Sequence, residues 1–332
     1  MTNDTTMVTS EEHEDATVGD RPDPGEEAIF RSGFACFVGR PNVGKSTLTN
    51  ALVGQKIAIA SDKPQTTRHV IKGVVTRPDA QLILIDTPGL HRPRTLLGER
   101  LNALVHDTWS SVDVIGVCFP SNQRIGPGDR FLVGEIASLS KKPKLIAVAT
   151  KTDLASPTRL REHLLDIQAL GEETGLTWEH IVPVSATTDD QVGLLLDLIV
   201  SLLPPGPVYY PDGETTDEPT ETLIAELIRE AALREVTDEL PHSITVQIEE
   251  MGLREGRPDD KPLLDIFASL IVERESQKPI VIGRGASRLR RIGTEARQQI
   301  FHLLGTPVYL DLRVKVVKDW QTDAKSLNRL GF

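Results

Sequence analysis

At 332 residues the chain is too long for one ordinary hydrophobic core and implies two compact domains. Its 39% apolar and 26% charged residues are those of a globular protein able to bury real cores, and no run of about 18 apolar residues offers a membrane span. A formal net charge of -11 excludes indiscriminate binding to nucleic acid, so an RNA contact has to come from a local basic patch. Cys36 and Cys118 both fall in apolar strand-like runs, a pattern of buried thiols in a reducing cytosol, not of a disulfide framework. The N-terminus lacks the basic and apolar regions of a secretory signal, which points to a cytoplasmic chain.

Residues 1–28 are acidic and nearly devoid of apolar side chains, so they are expected to form a disordered tail. The apolar run Phe34–Val38 then leads into Gly39, Arg40, Pro41, Asn42, Val43, Gly44, Lys45 and Ser46, followed by Thr47 and the helix-like stretch to Val53. Strand, glycine-hinged loop and helix start appear in the order required by the G-x-x-x-x-G-K-[ST] pattern, whose backbone N–H groups surround phosphate oxygens. Lys45 is expected to reach the β- and γ-phosphates and Ser46 to ligate Mg²⁺. Residues 56–68 read as a polar loop crossing that site. A threonine there completes the Mg²⁺ shell in switch-type phosphate-loop enzymes when the γ-phosphate is present and lets go after hydrolysis, with Thr67 the first choice and Thr66 the reserve.

The extended runs His69–Thr76 and Gln81–Ile85 predict a hairpin that ends in Asp86-Thr87-Pro88-Gly89. Asp86 would hold Mg²⁺ through water, and the Gly89 amide would contact the γ-phosphate. Leu90 follows, where many regulatory GTPases carry a water-orienting glutamine, so unaided hydrolysis is expected to be slow. Residues 89–100 read as a second mobile segment. Strands over Asp113–Phe119 and Leu145–Ala149, with a helix near Asp129–Leu139, continue an alternation that predicts a mostly parallel sheet with helices on both faces. Thr150-Lys151-Thr152-Asp153 sits at the end of the last of these strands. The Asp153 carboxylate can accept from both N1–H and the 2-amino group of guanine while the Lys151 stem covers the base. A helix over Arg159–Leu170 and a strand over Ile181–Val184 lead to Ser185 and Ala186, whose backbone amide can reach guanine O6. These motifs together point to GTP.

Residues 204–221, rich in proline, acid and threonine, read as a linker. Beyond it the pattern is helix (222–239), strands (Ile244–Met251, Asp265–Glu273 and Lys278–Ile282), helix (Ser287–Leu304) and strand (Val308–Val317), which suits a smaller α+β domain of the type II KH class. At its centre Gly283-Arg284-Gly285-Ala286 occupies the strand-to-helix turn that clamps a nucleotide backbone in KH domains. Lys278, Arg284, Ser287, Arg288, Arg290, Arg291 and Arg297 surround that turn and form the candidate RNA patch. Leu289, Ile292, Ala296, Ile300 and Leu303 recur at helical spacing and should face the domain's own core.

The chain resembles the Era family of GTPases through residues 39–46, Pro-Gln-Thr-Thr-Arg (64–68), Asp-Thr-Pro-Gly-Leu (86–90) and Val-Ser-Ala (184–186). The likeness continues through the linker 203–211, a helix containing Ile228-Arg229-Glu230, the segment Glu239–Ser243 and the ending Leu327–Phe332. It implies an α/β phosphate-loop GTPase domain (29–203), a linker (204–221) and a KH domain with its tail (222–332). It further implies binding near the 3′ end of 16S ribosomal RNA, a role in small-subunit maturation, and peripheral association with the cytoplasmic membrane, for which nothing in the sequence supplies an anchor. In related GTPases an asparagine at the position of Asn42 helps hold K⁺ against the phosphates, which would give Asn42 a catalytic part beside Lys45, Thr67 and Gly89. Two positions depart from the family pattern. Thr150 replaces asparagine, and Ala286 replaces the last glycine of the KH turn, a change expected to be sterically modest. Two other readings compete: an RNA-docking adaptor that uses GTP for shape with negligible turnover, and a membrane-associated signalling GTPase. With no heptad or exposed apolar stripe, a monomer is expected.

Overall fold

The computed structural model describes residues 1, 29–61, 63, 66–90, 93–236, 240–258 and 260–332. The expected acidic tail (1–28) therefore lies, but for Met1, outside the described residues, as do Pro64 and Gln65 and the stretch 237–239.

The first unit is built on a six-stranded sheet: β1 (Arg31–Val38), β2 (Ile71–Thr76), β3 (Ala80–Asp86), β4 (Val114–Pro120), β5 (Lys144–Thr150) and β6 (His180–Pro183). Their order is β2-β3-β1-β4-β5-β6, all parallel except β2, which runs antiparallel to β3. The central strands read as continuous apolar runs because both faces are covered. Helices α1 (Lys45–Val53) and α5 (Val192–Leu202) cover one face, where Leu48, Leu52, Leu195 and Ile199 meet Ala35, Leu84 and Ile146. Helices α2 (Leu96–Ser111), α3 (Pro127–Ala137) and α4 (Pro157–Thr174) cover the other, where Trp109, Leu132 and Ile167 meet Cys36, Ile115 and Ala147. Strand order reverses at β1, which opens a crevice at the carboxyl ends of the strands where ligands of such sheets bind.

The linker does not hang free. Gln81 on β3 accepts from the Tyr209 and Tyr210 amides at 2.7 and 2.9 Å, and the Val74 amide of β2 donates to the Thr215 carbonyl. It leads into α6 (Thr220–Glu235) and the single turn α7 (Leu240–Ser243). There follow β7 (Thr245–Leu253), β8 (Leu264–Val272), α8 (Lys278–Ile282), α9 (Ser287–Leu304), β9 (Val308–Val316) and α10 (Ala324–Arg329). Strands β7 and β8 pair antiparallel, β8 and β9 parallel. Helices α6 and α9 lie on one sheet face, with Ile224, Ile228, Ile292, Ala296 and Ile300 buried against Ile266 and Leu270.

Two expectations need correction. Lys278–Ile282 is a short helix, not a strand: Pro279 has no N–H to give a ladder, and β8 pairs β9 directly, leaving no place between them. Of the segment 89–100, the part Leu96–Arg100 is the first turn of α2 and not loop. Thr95 caps it by accepting from the Gly98 amide at 3.2 Å. Its Leu97 and Leu101 are buried with Ile271, Trp320 and Leu327 of the second unit.

Candidate nucleotide site and basic turn

The phosphate loop follows from the strand and helix that flank it. Chain leaving β1 at Val38 must turn sharply into α1, and Gly44 takes φ 102 at the helix N-cap, a conformation open to glycine. The first amides of α1 are thereby left pointing into the crevice. Lys45 lies back along the loop, its Nζ donating to the Gly39 and Arg40 carbonyls at 3.3 Å each. Burial lowers its ammonium pKa, with Asp86 opposing the shift. Arg40 ties the outer turn of the loop to α3 through Asp129 at 2.7 Å and to the turn after β4 through Gln123 at 3.1 Å.

Three oxygen-bearing side chains converge beside Lys45. Ser46 Oγ donates to Asp86 Oδ2 at 2.8 Å, Thr67 Oγ1 donates to the same oxygen at 3.1 Å, and the two hydroxyls lie 3.1 Å apart. Asp86 is 1% exposed, burial raises its carboxyl pKa, and its Oδ1 has no hydrogen-bond partner among the described residues. Thr66 turns away and donates to the Lys63 carbonyl at 2.6 Å. Two hydroxyls and a carboxylate with a spare oxygen form a hard donor set, which fits Mg²⁺. Pro41, Asn42, Lys45, Ser46, Thr47, Thr67 and Gly89 line a hollow of about 460 Å³. Leu90 packs toward the core of the β-sheet face bearing α2 to α4.

A second hollow of about 360 Å³ adjoins the first through Gly44 and Thr47 and is lined by Val43, Thr150, Lys151, Asp153, Ala186 and Thr187. Thr150, at the wall of this hollow, donates its hydroxyl to the Val43 carbonyl at 2.7 Å and so braces the phosphate loop. Lys151 takes φ 58, and its Nζ donates to the Asn42 carbonyl at 2.6 Å. Asp153 is oriented by Ser185 Oγ at 2.6 Å, leaving its second oxygen for a ligand. Asn42 itself sits at φ 64 on the exposed turn of the loop.

In the second unit the glycine turn is held in left-handed geometry. Gly283 has φ 73, Gly285 φ 57 and Ala286 φ 59. The alanine replacement is therefore not sterically modest: its Cβ is forced into a region that costs L-residues about 1–2 kcal/mol. Around the turn Arg284, Ser287, Arg290, Arg291 and Arg297 are exposed, while Arg288 and Lys278 are half-buried. Not all the arginines are equally available. Arg291 forms a bidentate pair with Glu235, Arg288 donates to the Ile280 carbonyl, and Arg290 donates to the Gly285 carbonyl.

Sequence reasoning missed the junction of the two units. Arg68, 1% exposed, crosses to the second unit and donates to the carbonyls of Pro241, His242 and Ile244 at 3.1, 2.7 and 2.7 Å. Its guanidinium lies 5.7 Å from the Trp320 ring, and burial draws its pKa down to about 9. Glu230 on α6 accepts from Lys56 and from the Ala60 amide, and Arg229 reaches the Thr66 carbonyl. One signal was available: Arg229 and Glu230 sit between the apolar pairs Leu227-Ile228 and Ala231-Ala232 of α6, a setting in which charges are buried and need partners.

Comparison with known proteins matches a 50S ribosome-binding GTPase family model over residues 34–151 and a KH domain model over 239–321. GTPase Era of Nocardioides sp. is 66% identical over 308 residues, covering 93% of this chain and 98% of that protein. GTPase Era of Streptomyces coelicolor is 62% identical over 306 residues, covering 92% and 96%. Among solved structures, Era in complex with MgGDPNP and nucleotides 1506–1542 of 16S ribosomal RNA superposes with TM-score 0.84 at 36% identity, covering 91% of this chain and 99% of that one. A variant of Aquifex aeolicus Era bound to GDP·AlF4⁻ matches with the same TM-score at 35% identity and the same coverage.

Proposed function

Because the chain belongs to the Era family of GTPases, with its phosphate-loop and KH domains, we propose that it couples GTP hydrolysis to binding of the 3′ region of 16S ribosomal RNA during small-subunit assembly. The observation that carries the reading is the convergence of Lys45, Ser46, Thr67 and Asp86 beside a second hollow lined by Asp153. One hollow suits phosphates, the other a guanine.

In this reading the first amides of α1 and the Lys45 ammonium receive the β- and γ-phosphates, Lys45 exchanging the Gly39 and Arg40 carbonyls for phosphate oxygens. The Ser46 and Thr67 hydroxyls would hold Mg²⁺, with the spare Asp86 oxygen doing so through water, and the ion would supply neutralisation of phosphate charge. Gly89 presents its amide to the γ-phosphate from across the hollow. Asp153 accepts from the guanine N1–H and 2-amino group, and Ala186 donates to O6. Leu90 offers water no polar group, so attack depends on Thr67, backbone and cation, and turnover is slow without a partner. K⁺ beside Asn42 would stabilise charge on the transferring phosphoryl group. A clear dependence of turnover on KCl over NaCl is the expected outcome.

The RNA side rests on the turn Gly283–Ala286 with Arg284, Ser287, Arg288, Arg290 and Lys278, Arg291 acting mainly through its partner Glu235. The related complex holds nucleotides 1506–1542 of 16S ribosomal RNA, which is the ligand we assign by likeness. We take 29–203 as the GTPase domain, 204–221 as the linker and 222–332 as the KH domain with its tail. The chain acts as a monomer in the cytoplasm, and any membrane contact is peripheral, since no helix among the described residues is long and apolar enough to cross one.

The test is GTP turnover in KCl with and without a single-stranded RNA copied from the 3′ end of 16S RNA, for wild type and Arg284→Glu. Arg284 is exposed, so charge reversal there spares the fold. RNA should speed hydrolysis in wild type and lose that effect in the variant. Binding without any change in turnover would favour the adaptor reading, and binding to acidic vesicles that RNA does not compete away would favour the membrane-signalling one.

A further inference from the structure

Thr67 is gripped from both sides by the second unit. The residue before it, Thr66, has its carbonyl held by Arg229 of α6. The residue after it, Arg68, is inserted among three carbonyls, two from α7 and one from Ile244 just after it. Between these anchors the Thr67 hydroxyl has little choice but to face Ser46 and Asp86.

The chemistry of α6 supports a task beyond packing. Arg229 and Glu226 form a buried ion pair, 1% and 5% exposed, through Nε at 2.9 Å and Nη2 at 2.7 Å. Their neighbours Leu227, Ile228, Ala231 and Ala232 are all apolar and buried. Among the described residues, Arg229 Nη1 and Arg68 Nε have no hydrogen-bond partner although both side chains are buried. Two guanidinium groups thus share one junction, Arg229 paired with Glu226 and Arg68 with main-chain carbonyls. A buried ion pair is a poor source of stability compared with apolar side chains of like volume. Its geometric product here is a fixed position for the Thr66 carbonyl.

We propose that Arg229, oriented by Glu226, is a positioning residue of the nucleotide site: through Thr66 it sets the Thr67 hydroxyl, so the second unit tunes the affinity of the site for Mg²⁺. This rests on the reading of Ser46, Thr67 and Asp86 as the Mg²⁺ donors. By linkage, Mg²⁺–nucleotide loading tightens the hold of Thr66 and Arg68 on the second unit by the same factor.

The test uses the full chain loaded with a fluorescent, non-hydrolysable GTP analogue, because the switch threonine meets Mg²⁺ only while a γ-phosphate is present, and measures the Mg²⁺ concentration that half-suppresses nucleotide release. Glu226→Gln combined with Arg229→Met removes the charges together, so no buried carboxylate is left unpaired. We expect the half-saturating Mg²⁺ to rise about tenfold, the loss of one charge-assisted hydrogen bond, with affinity for the analogue at saturating Mg²⁺ unchanged. Arg229→Lys, which keeps a cation for Glu226 but reaches less far, should give an intermediate rise. In a Thr67→Val background the α6 substitutions should add nothing, which a merely structural role would not predict. Additive effects, or an unchanged Mg²⁺ requirement in both α6 variants, would overturn the inference. Should the double variant lose the emission of buried Trp320, Arg229→Lys alone decides the question. Ser46→Ala separates the premise from the inference. If it leaves the Mg²⁺ requirement unmoved, the metal reading fails; if it raises the requirement while the α6 variants do not, only the role of Arg229 fails.

Discussion

Restoring glycine at position 286 should stabilise the second unit. Ala286 sits at φ 59, ψ 24, where an L-side chain pays about 1–2 kcal/mol. Glycine removes that strain but returns about 0.4–1 kcal/mol of freedom to the unfolded chain. The net gain expected for Ala286→Gly is therefore about 0.5–1 kcal/mol, or about two- to fivefold slower amide exchange by global opening. The β8–β9 ladder is the place to read it, because its nine paired positions from Leu264–Val308 to Val272–Val316 open only with the sheet. Gly283→Ala is the contrasting control. At φ 73 its new Cβ would lie 2.8 Å from Arg288 Cβ and 3.0 Å from the Arg288 amide nitrogen, so exchange in the same ladder should quicken. Unchanged or faster exchange in Ala286→Gly would refute the assignment of strain to the alanine.

Thr150→Val deprives the Val43 carbonyl of its buried donor, a loss of about 1–3 kcal/mol, and should weaken GDP binding about tenfold in an equilibrium titration. Unaltered affinity would mean that Thr150 braces nothing. Arg284→Gln should weaken RNA binding and lower its salt slope by about one, whereas Arg291→Gln should do less because Glu235 already occupies that guanidinium. Salt-dependent binding curves decide between the two. His163 on α4 is buried, and burial lowers its pKa below 6.5, against the pull of the Phe119 carbonyl. The unfolded chain then binds the proton more readily, so stability is present above the unfolded value and falls as pH drops through the lowered folded one. Denaturation of His163→Leu between pH 7 and 5 should show a shallower decline than wild type, and an identical decline would remove His163 as a cause.

Much of the first unit was legible because its signals are local. A glycine loop between strand and helix, an Asp at a strand end and a Thr-Lys-x-Asp tetrapeptide each carry their geometry with them. The helix α8 was misread because Ile280-Val281-Ile282 has strand-like composition, and only the direct pairing of β8 with β9 excludes it from the sheet. The left-handed backbone of Ala286 is invisible in an alanine, whereas a glycine there would have announced it. The socket of Arg68 could not be read at all. Its acceptors are main-chain carbonyls about 170 positions away, and a carbonyl carries no letter in the sequence.

That socket has a consequence for how the protein can change. Because Pro241, His242 and Ile244 contribute backbone oxygens, replacing their side chains leaves the acceptors in place, provided the chain keeps its path. The contact is thus buffered against point substitution on one side and exposed to it on the other, where Arg68 alone provides the donors. Drift in the second unit can remodel its outer surface, and so the RNA it meets, without severing the tie to the nucleotide site. A chimera that grafts a different KH domain onto this GTPase domain would keep the tie if it keeps the turn, whatever residues the turn contains.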